Sequence, residues 1–130
     1  MRIAMLSYHS SPVAPLGGKH TGGMNVYVRE LSRQLAARGH QVEIFTRGAA
    51  YDQMELATDG EGAARLVTLP AGPARSLERD ELAEHLPEFA DAVLEFSRSA
   101  NLSYDLIHAH YWMSGLVGAR LKAAWGAPLV

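Results

Sequence analysis

The sequence RIAMLSYHSSPVAPLGGKHTGGMNVYVREL, residues 2–31, decides the fold of this chain. The nearly continuous apolar run from Arg2 to Ser7 predicts a strand buried on both faces, which is typical of a parallel sheet. A loop of small and polar residues follows and closes on Gly22-Gly23, where a helix begins. Because N–H groups at a helix N-terminus are unpaired and the helix dipole is positive there, this turn could hold an anion such as a phosphate.

The rest of the chain alternates between strand and helix patterns. After the first helix, which Gly39 would cap, strands are predicted at Gln41 to Thr46, Arg65 to Leu69, Tyr104 to Ala109 and Leu129-Val130. Helices are predicted at Asp80 to Arg98, with a kink or a fresh start at Pro87, and at Trp112 to Trp125, where Gly115 and Gly118 would allow close packing. Residues 47–62 are predicted as a loop or a short hairpin. This order predicts an α/β fold with a doubly wound, mainly parallel sheet and helices on both faces.

The composition is that of an ordinary globular domain. The chain has 130 residues, 48% of them apolar, 20% charged, and a formal net charge of −2. With this net charge the sequence shows no basic stripe of the kind that binds nucleic acid. The absence of cysteine excludes disulfides and thiolate metal sites. The N-terminus predicts neither a signal peptide nor a membrane span, so a cytoplasmic location follows by default.

Four loops are expected to meet at one edge of the sheet, because the carboxyl ends of parallel strands lie together and ligands bind there. These loops are residues 7–22, Thr46-Arg47, residues 71–79 and residues 108–112. Arg79 and Lys19 are the cations best placed to meet an anion, although each is equally readable as a solvated surface charge. The alternative interpretation, a glycine-rich surface loop that binds no ligand, also remains open at this point.

Two other kinds of site fit less well. A dinucleotide fingerprint needs a tight G-x-G-x-x-G turn and an acid after the second strand, whereas this loop is long and the second strand ends in Thr46-Arg47. His108 and His110 lie two residues apart on a strand, but no convincing third ligand accompanies them, so no metal is expected. His108 is predicted as a hydrogen-bonded core residue, His110-Tyr111 as facing the cleft, and Trp112 as a core or helix-packing residue.

The motifs SYHSSPVAPLG, TGGMNVYV, HQVEIFTR, AGP…ERDEL and YDLIHAHYWMSGLVG together resemble the N-terminal domain of family 4 glycosyltransferases, which have the two-domain GT-B fold. The likeness covers essentially all 130 residues. Within that family the motifs are most similar to the D-inositol-3-phosphate glycosyltransferase branch and to sucrose-phosphate synthase-like enzymes. That branch typically has a lysine at the position of Arg79 and a Gly-Asp pair at the position of Lys19-His20.

The resemblance implies a retaining transfer of a sugar from a nucleotide-sugar to a hydroxyl group of a small, phosphorylated acceptor such as inositol phosphate or a sugar phosphate. It implies that Pro15, Leu16 and Gly23 approach the donor. The acceptor-binding residues that it implies are His9, Lys19, His20, Thr21, Gly22, Gly23, Met24, Asn25, Arg79 and Tyr111. Catalytic residues are not assigned, and neither a cofactor nor a metal is expected.

Residues 1–130 are therefore expected to form an acceptor-binding domain that is cut short, with the donor domain absent and the chain inactive by itself. The expected partners are the nucleotide-sugar, an anionic acceptor, the protein's own C-terminal domain and, in addition, a second copy in a homodimer. An alternative function is a non-catalytic α/β module that binds a phosphorylated small molecule. The sequence leaves the sugar, the nucleotide and the acceptor open.

Overall fold

A computed structural model describes residues 1–13 and 22–130 of the protein. The strands are β1 (Arg2–Leu6), β2 (Gln41–Gly48), β3 (Asp52–Leu56), β4 (Ala63–Pro70) and β5 (Leu106–Ala109). The helices are α1 (Gly23–Ala37), α2 (Arg79–Glu84), α3 (Leu86–Ser99) and α4 (Tyr111–Trp125). No helix in the described part of the chain is long and apolar enough to cross a membrane.

The strands form one sheet in the order β3-β4-β2-β1-β5. β1 pairs in parallel with β2 and with β5, and β2 pairs in parallel with β4. Leu129 adds a parallel bridge to Ile107 beside β5, as predicted for the end of the sequence. The parallel strands therefore run outward from β1 in both directions, which confirms the doubly wound fold and places the change of direction between β1 and β5.

Helices cover both faces of the sheet, because successive strand side chains alternate between the faces. Ile3 and Met5 of β1 belong to one apolar cluster, which includes Val28 of α1. Leu6, on the opposite face of β1, belongs to a larger cluster with apolar residues of α2, α3 and α4. Both clusters are fully buried at their centres, so β1 is enclosed on two sides, as its continuous apolar run predicts.

Two segments differ in detail from the sequence-based expectation. Residues 47–62 contain β3, which pairs antiparallel with β4; four of its five residues are exposed, which explains their weak apolar pattern. The helix expected at Asp80 to Arg98 is two helices, α2 and α3, which meet at His85. Pro87 lies in the first turn of α3, where its missing N–H leaves no helical hydrogen bond unmade, so it marks a fresh start.

Gly118 and Gly115 of α4 do not share one role. A Cβ atom at Gly118 would lie 2.7 Å from a side-chain carbon of Leu129, so this glycine does allow close packing. A Cβ atom at Gly115 would meet no atom within 4 Å, so the close packing predicted there is not present.

We expect Gly62→Ala to lower the free energy of unfolding by about 1–3 kcal/mol. Its Cβ would lie 2.2 Å from the carbonyl oxygen of His40 and 2.4 Å from that of Ala36, and backbone atoms cannot rotate away. Gly115→Ala is the matched control, for which we expect a gain of up to about 1 kcal/mol from helix propensity. Urea unfolding of both variants measures the difference, and equal shifts would contradict the packing described here.

Candidate functional site

The loops after β1, β4 and β5 and the N-termini of α1 and α4 lie at the carboxyl edge of the sheet. Leu6 of β1 and Ala109 of β5 are register partners, so the two loops that follow them start side by side. The His110 N–H donates to the Leu6 carbonyl at 3.0 Å, and the Ser7 N–H donates to the Phe45 carbonyl at 3.0 Å. Ligands of doubly wound sheets bind at this point, where the strand order changes direction.

Three residues from three of these loops form a row. The ring of His9 lies 4.6 Å from the ring of Tyr111, and the guanidinium of Arg79 lies 5.7 Å from the centre of the same Tyr111 ring. His9 follows β1, Arg79 begins α2 and Tyr111 begins α4. The structure therefore brings together three of the residues that the sequence pointed to, although they are up to 102 positions apart, from 9 to 111.

The positive charge of Arg79 has no carboxylate partner within ion-pair distance in residues 1–13 and 22–130. Its recorded contact is the face of the Tyr111 ring, and its side chain is exposed to solvent. A guanidinium beside an aromatic ring keeps its N–H groups available, since the ring attracts the positive charge but does not occupy the N–H groups as a conventional hydrogen-bond acceptor would. Arg79 can therefore donate to an incoming phosphate or carboxylate.

Tyr111 has an unusual backbone conformation. Its φ angle is +75°, in the left-handed region that a non-glycine residue adopts at a cost of about 1–2 kcal/mol. The residue begins α4, directly after the N-cap residue His110, and its side chain is 40% exposed. This conformation turns the ring toward His9 and Arg79, and such outliers are found where a site needs a defined side-chain position.

Tyr8, directly before His9, anchors the site to its surroundings. The residue is fully buried; its N–H donates to the Ser114 hydroxyl oxygen of α4 at 3.0 Å, and its own hydroxyl donates to the Leu82 carbonyl of α2 at 2.7 Å. Its carbonyl accepts the Arg47 N–H at 3.1 Å. Burial raises the pKa of Tyr8 to about 12, with the charge of Arg47 acting in the opposite direction. Tyr8 is therefore a neutral hydrogen-bonding anchor.

The start of α1 is fixed by a buried polar group. Asn25 is 2% exposed; its carbonyl oxygen accepts the Ser10 hydroxyl at 2.9 Å and its amide donates to the Ser11 carbonyl. The Asn25 side chain is thus used within the protein, and it holds the β1–α1 loop against the helix. Gly22 is the N-cap of α1 and Gly23 its exposed first residue, and a Cβ atom at either would meet no atom of the described residues within 4 Å. Met24 packs against the apolar cluster under α1.

The two histidines of β5 and its exit have the opposite exposures to those predicted. His110 is buried, at 8% exposure, with its ring 5.8 Å from the Tyr27 ring of α1, while His108 is only partly buried. The reason is that the chain turns into α4 at His110, whose side chain stays under α1. Burial, and then the neighbouring His108, lower the pKa of His110 to about 4. Its Nε2 atom has no hydrogen-bond partner within the described residues.

The remaining predicted site residues, Lys19, His20 and Thr21 for the acceptor and Pro15 and Leu16 for the donor, lie outside the described residues. Within the described ranges, no group of three or more His, Asp or Glu side chains is placed to hold a metal ion.

A model of the glycosyl transferase 4-like domain matches residues 22–130. The chain belongs to this family. Over 130 residues it is 42% identical to a D-inositol 3-phosphate glycosyltransferase of Corynebacterium diphtheriae, covering 100% of this chain and 30% of that protein. Over 125 residues it is 46% identical to the protein of the same name from Corynebacterium urealyticum, covering 96% of this chain and 29% of that protein.

A solved structure shares the fold of this glycosyl transferase 4-like domain. Sucrose-phosphate synthase from Thermosynechococcus elongatus superposes with a TM-score of 0.84 and is 36% identical, covering 98% of this chain and 31% of that one. The similarity to a GT-B glycosyltransferase domain that the motifs indicated is thus confirmed. The chain spans about 30% of the length of these relatives.

Sequence reasoning missed several residues that build the site of this glycosyl transferase 4-like domain. Ser114 receives the Tyr8 N–H, and Tyr27 covers His110, yet neither stands out in the sequence. Trp112, predicted as a packing residue, is 49% exposed in the first turn of α4. Arg47 is expected from the sequence just after the second strand and lies near the end of β2, at the predicted edge, but its position gives no sign of what its side chain binds.

We expect the stability of the domain to fall as the pH is lowered from 7.5 to 5, because His110 must remain neutral. Its folded pKa of about 4 lies below the ordinary value of 6.5, so its contribution is fully present above pH 6.5 and is lost as the pH falls toward 4. The expected loss by pH 5 is about 2 kcal/mol. Urea unfolding at both pH values measures it. His110→Gln should show a smaller loss, and an equal loss in both proteins would contradict the assignment.

Proposed function

We propose that this chain is the acceptor-binding part of a retaining glycosyltransferase that moves a sugar from a nucleotide-sugar to a hydroxyl group of a small phosphorylated acceptor. The curated relatives are named D-inositol 3-phosphate glycosyltransferase, and the structural neighbour is a sucrose-phosphate synthase. Both names describe enzymes with a phosphorylated, polyhydroxylated substrate or product. An inositol phosphate or a sugar phosphate is therefore the acceptor class that we propose here.

The single observation that carries this proposal is the row of Arg79, Tyr111 and His9 at the edge between β1 and β5. Arg79 offers a guanidinium that has no carboxylate partner within the described residues, and it could bind the phosphate of the acceptor. The hydroxyl of the exposed Tyr111 offers a hydrogen bond to the hydroxyl groups of a ring-shaped polyol, and the ring of His9 lies beside Tyr111. This combination suits a small molecule that carries one anionic group and several hydroxyls.

The N-terminus of α1 is the place where we propose that a second anion, the donor diphosphate, binds beside the acceptor phosphate. α1 has 15 residues and no acidic residue in its first turn, and no side chain of the described residues caps its N-terminus. Within residues 1–13 and 22–130 no atom fills the space beside Gly22 and Gly23, so a phosphate oxygen can approach the backbone N–H groups from there. We propose that the donor diphosphate passes near Gly23, with Pro15 and Leu16 also beside the donor.

The chemistry that we propose is positioning combined with electrostatic stabilisation. An acceptor hydroxyl oxygen bonds to the anomeric carbon of the sugar, the bond from that carbon to the diphosphate oxygen breaks, and the hydroxyl proton passes to the leaving diphosphate oxygen. The helix N-terminus favours the negative charge that develops on the leaving diphosphate, while Arg79 and Tyr111 hold the acceptor in place. Since the chain spans about 30% of its relatives, we expect it not to transfer sugar by itself. The rest of the enzyme would hold most of the donor.

In the protein that the complete gene encodes, we expect Arg79→Ala to raise the KM for the acceptor roughly 10- to 100-fold and the KM for the donor less than threefold. The range follows from about 1.5–3 kcal/mol for a hydrogen bond to a charged group. Steady-state kinetics with each substrate varied in turn measure both constants.

The matched control is Arg75→Ala, four residues earlier. The Arg75 guanidinium is paired with Glu81 at 2.7 Å, so it is not available to the acceptor and its loss should change neither KM appreciably. An equal rise of both KM values in Arg79→Ala would show that Arg79 does not serve the acceptor.

A screen of nucleotide-sugars against phosphorylated polyols, read out as release of the nucleoside diphosphate, tests the function as a whole. We expect release that depends on the acceptor, with a product whose anomeric configuration by NMR equals that of the donor. Tight binding of a phosphorylated compound without any release would instead favour a non-catalytic binding module.

A further inference from the structure

We propose that Arg47 is a positioning residue for acceptor binding, which acts by fixing the β4–α2 loop (residues 71–78) that leads into Arg79. Arg47 lies near the end of β2 and is partly buried. That Arg47 fixes the loop follows from the contacts of Arg47 alone. That this serves acceptor binding rests on the acceptor role that is proposed for Arg79.

The guanidinium of Arg47 binds three carbonyl groups of one loop. Its Nε donates to the Ala71 carbonyl at 2.7 Å, and one terminal nitrogen donates both to the Arg75 carbonyl at 3.2 Å and to the Pro73 carbonyl. The three acceptors are alternate residues of a single segment, so one rigid planar group sets the path of the backbone from 71 to 75. A lysine ammonium is a point donor on a flexible stem and cannot reproduce this fork.

The middle of this loop is exposed to solvent, so burial of side chains does little to fix its conformation. Ala71 and Leu77 are buried at 1% and 2% exposure, whereas residues 73–76 between them are exposed. Nearby, Glu88 accepts the Gly72 N–H, and a capping box between Glu78 and Glu81 starts α2. Arg47 therefore ties the exposed stretch to the end of β2, while the ion pair of Arg75 with Glu81 ties it to α2.

The charge of Arg47 is balanced by carbonyl dipoles. In the described ranges no carboxylate lies within ion-pair distance of its guanidinium, and the Arg47 N–H also binds the Tyr8 carbonyl at 3.1 Å. Tyr8 in turn holds Leu82, three residues after Arg79, through its hydroxyl. Arg79 thus lies between two anchored points, one on Arg47 and one on Tyr8, and release of the first would let the start of α2 move away from the Tyr111 ring.

The test uses Arg47→Lys in the protein that the complete gene encodes, with Arg33→Lys as the matched control. Arg33 also donates from Nε to a loop carbonyl, that of Ala57 at 2.7 Å, but on the far side of the domain. We expect Arg47→Lys to speed amide hydrogen exchange in residues 71–78 at least about tenfold relative to β1, and Arg33→Lys to leave those amides unchanged. Similar melting temperatures of the two variants exclude general unfolding.

The kinetic readout is a rise of about tenfold in the acceptor KM of Arg47→Lys, with the donor KM changed less than twofold. If Arg47 acts through Arg79, the double variant Arg47→Lys/Arg79→Ala should be no worse than Arg79→Ala alone. Unchanged exchange in residues 71–78 would overturn the proposal, as would faster exchange with an unchanged acceptor KM, or additive effects in the double variant. If Arg79→Ala itself affects only the donor, the proposed function fails, and the exchange comparison alone decides whether Arg47 orders the loop.

Discussion

The complete burial of Tyr8 is the constraint on which the rest of the carboxyl edge depends. This one residue, two positions after β1, binds α4 through Ser114, α2 through the Leu82 carbonyl and the end of β2 through Arg47. Its ring also packs edge-on against Phe89 of α3, 4.8 Å between ring centres. A hydroxyl and an amide that are buried in this way must keep their partners, because an unpaired buried polar group costs about 1–3 kcal/mol. The relative positions of four elements are therefore coupled through Tyr8.

This coupling explains why residues so distant in the sequence can form one site. His9 follows Tyr8 directly, Tyr111 lies three residues before Ser114, and Arg79 lies three residues before Leu82. Each member of the row is thus within one helical turn of an atom that Tyr8 holds. A change at Tyr8 would move all three together, whereas a change at any one member would leave the others in place. The parallel register of β1 and β5 supplies the remaining alignment.

Much of this arrangement follows from sequence patterns, but the partners of individual side chains do not. Continuous apolar runs and helical spacing predict the order of elements and the edge at which the site lies, since burial on both faces leaves few alternatives for β1. Pro87 predicts a kink or a fresh helix start, and the structure has a fresh start after His85, whereas the exposure of β3 depends on tertiary packing. The exposures of His108 and His110 are the reverse of those predicted, because a two-residue spacing fixes a common face but not where the chain turns. The roles of Arg47 and Ser114 depend on contacts across more than 20 positions, which no local spacing encodes.

The arginine side chains near this edge have different partners, and the kind of partner decides how readily each guanidinium could bind an anion. Arg75, outside the row, is paired with a carboxylate, whereas Arg79 faces an aromatic ring and Arg47 faces backbone carbonyls. A carboxylate partner would have to be displaced before a phosphate could bind, and the affinity for the phosphate would be reduced by that exchange. Rings and carbonyls hold the guanidinium groups in place without removing their net charge. Burial lowers the pKa of His110 below the same edge to about 4, so this side chain stays neutral near pH 7 and adds no charge to the edge.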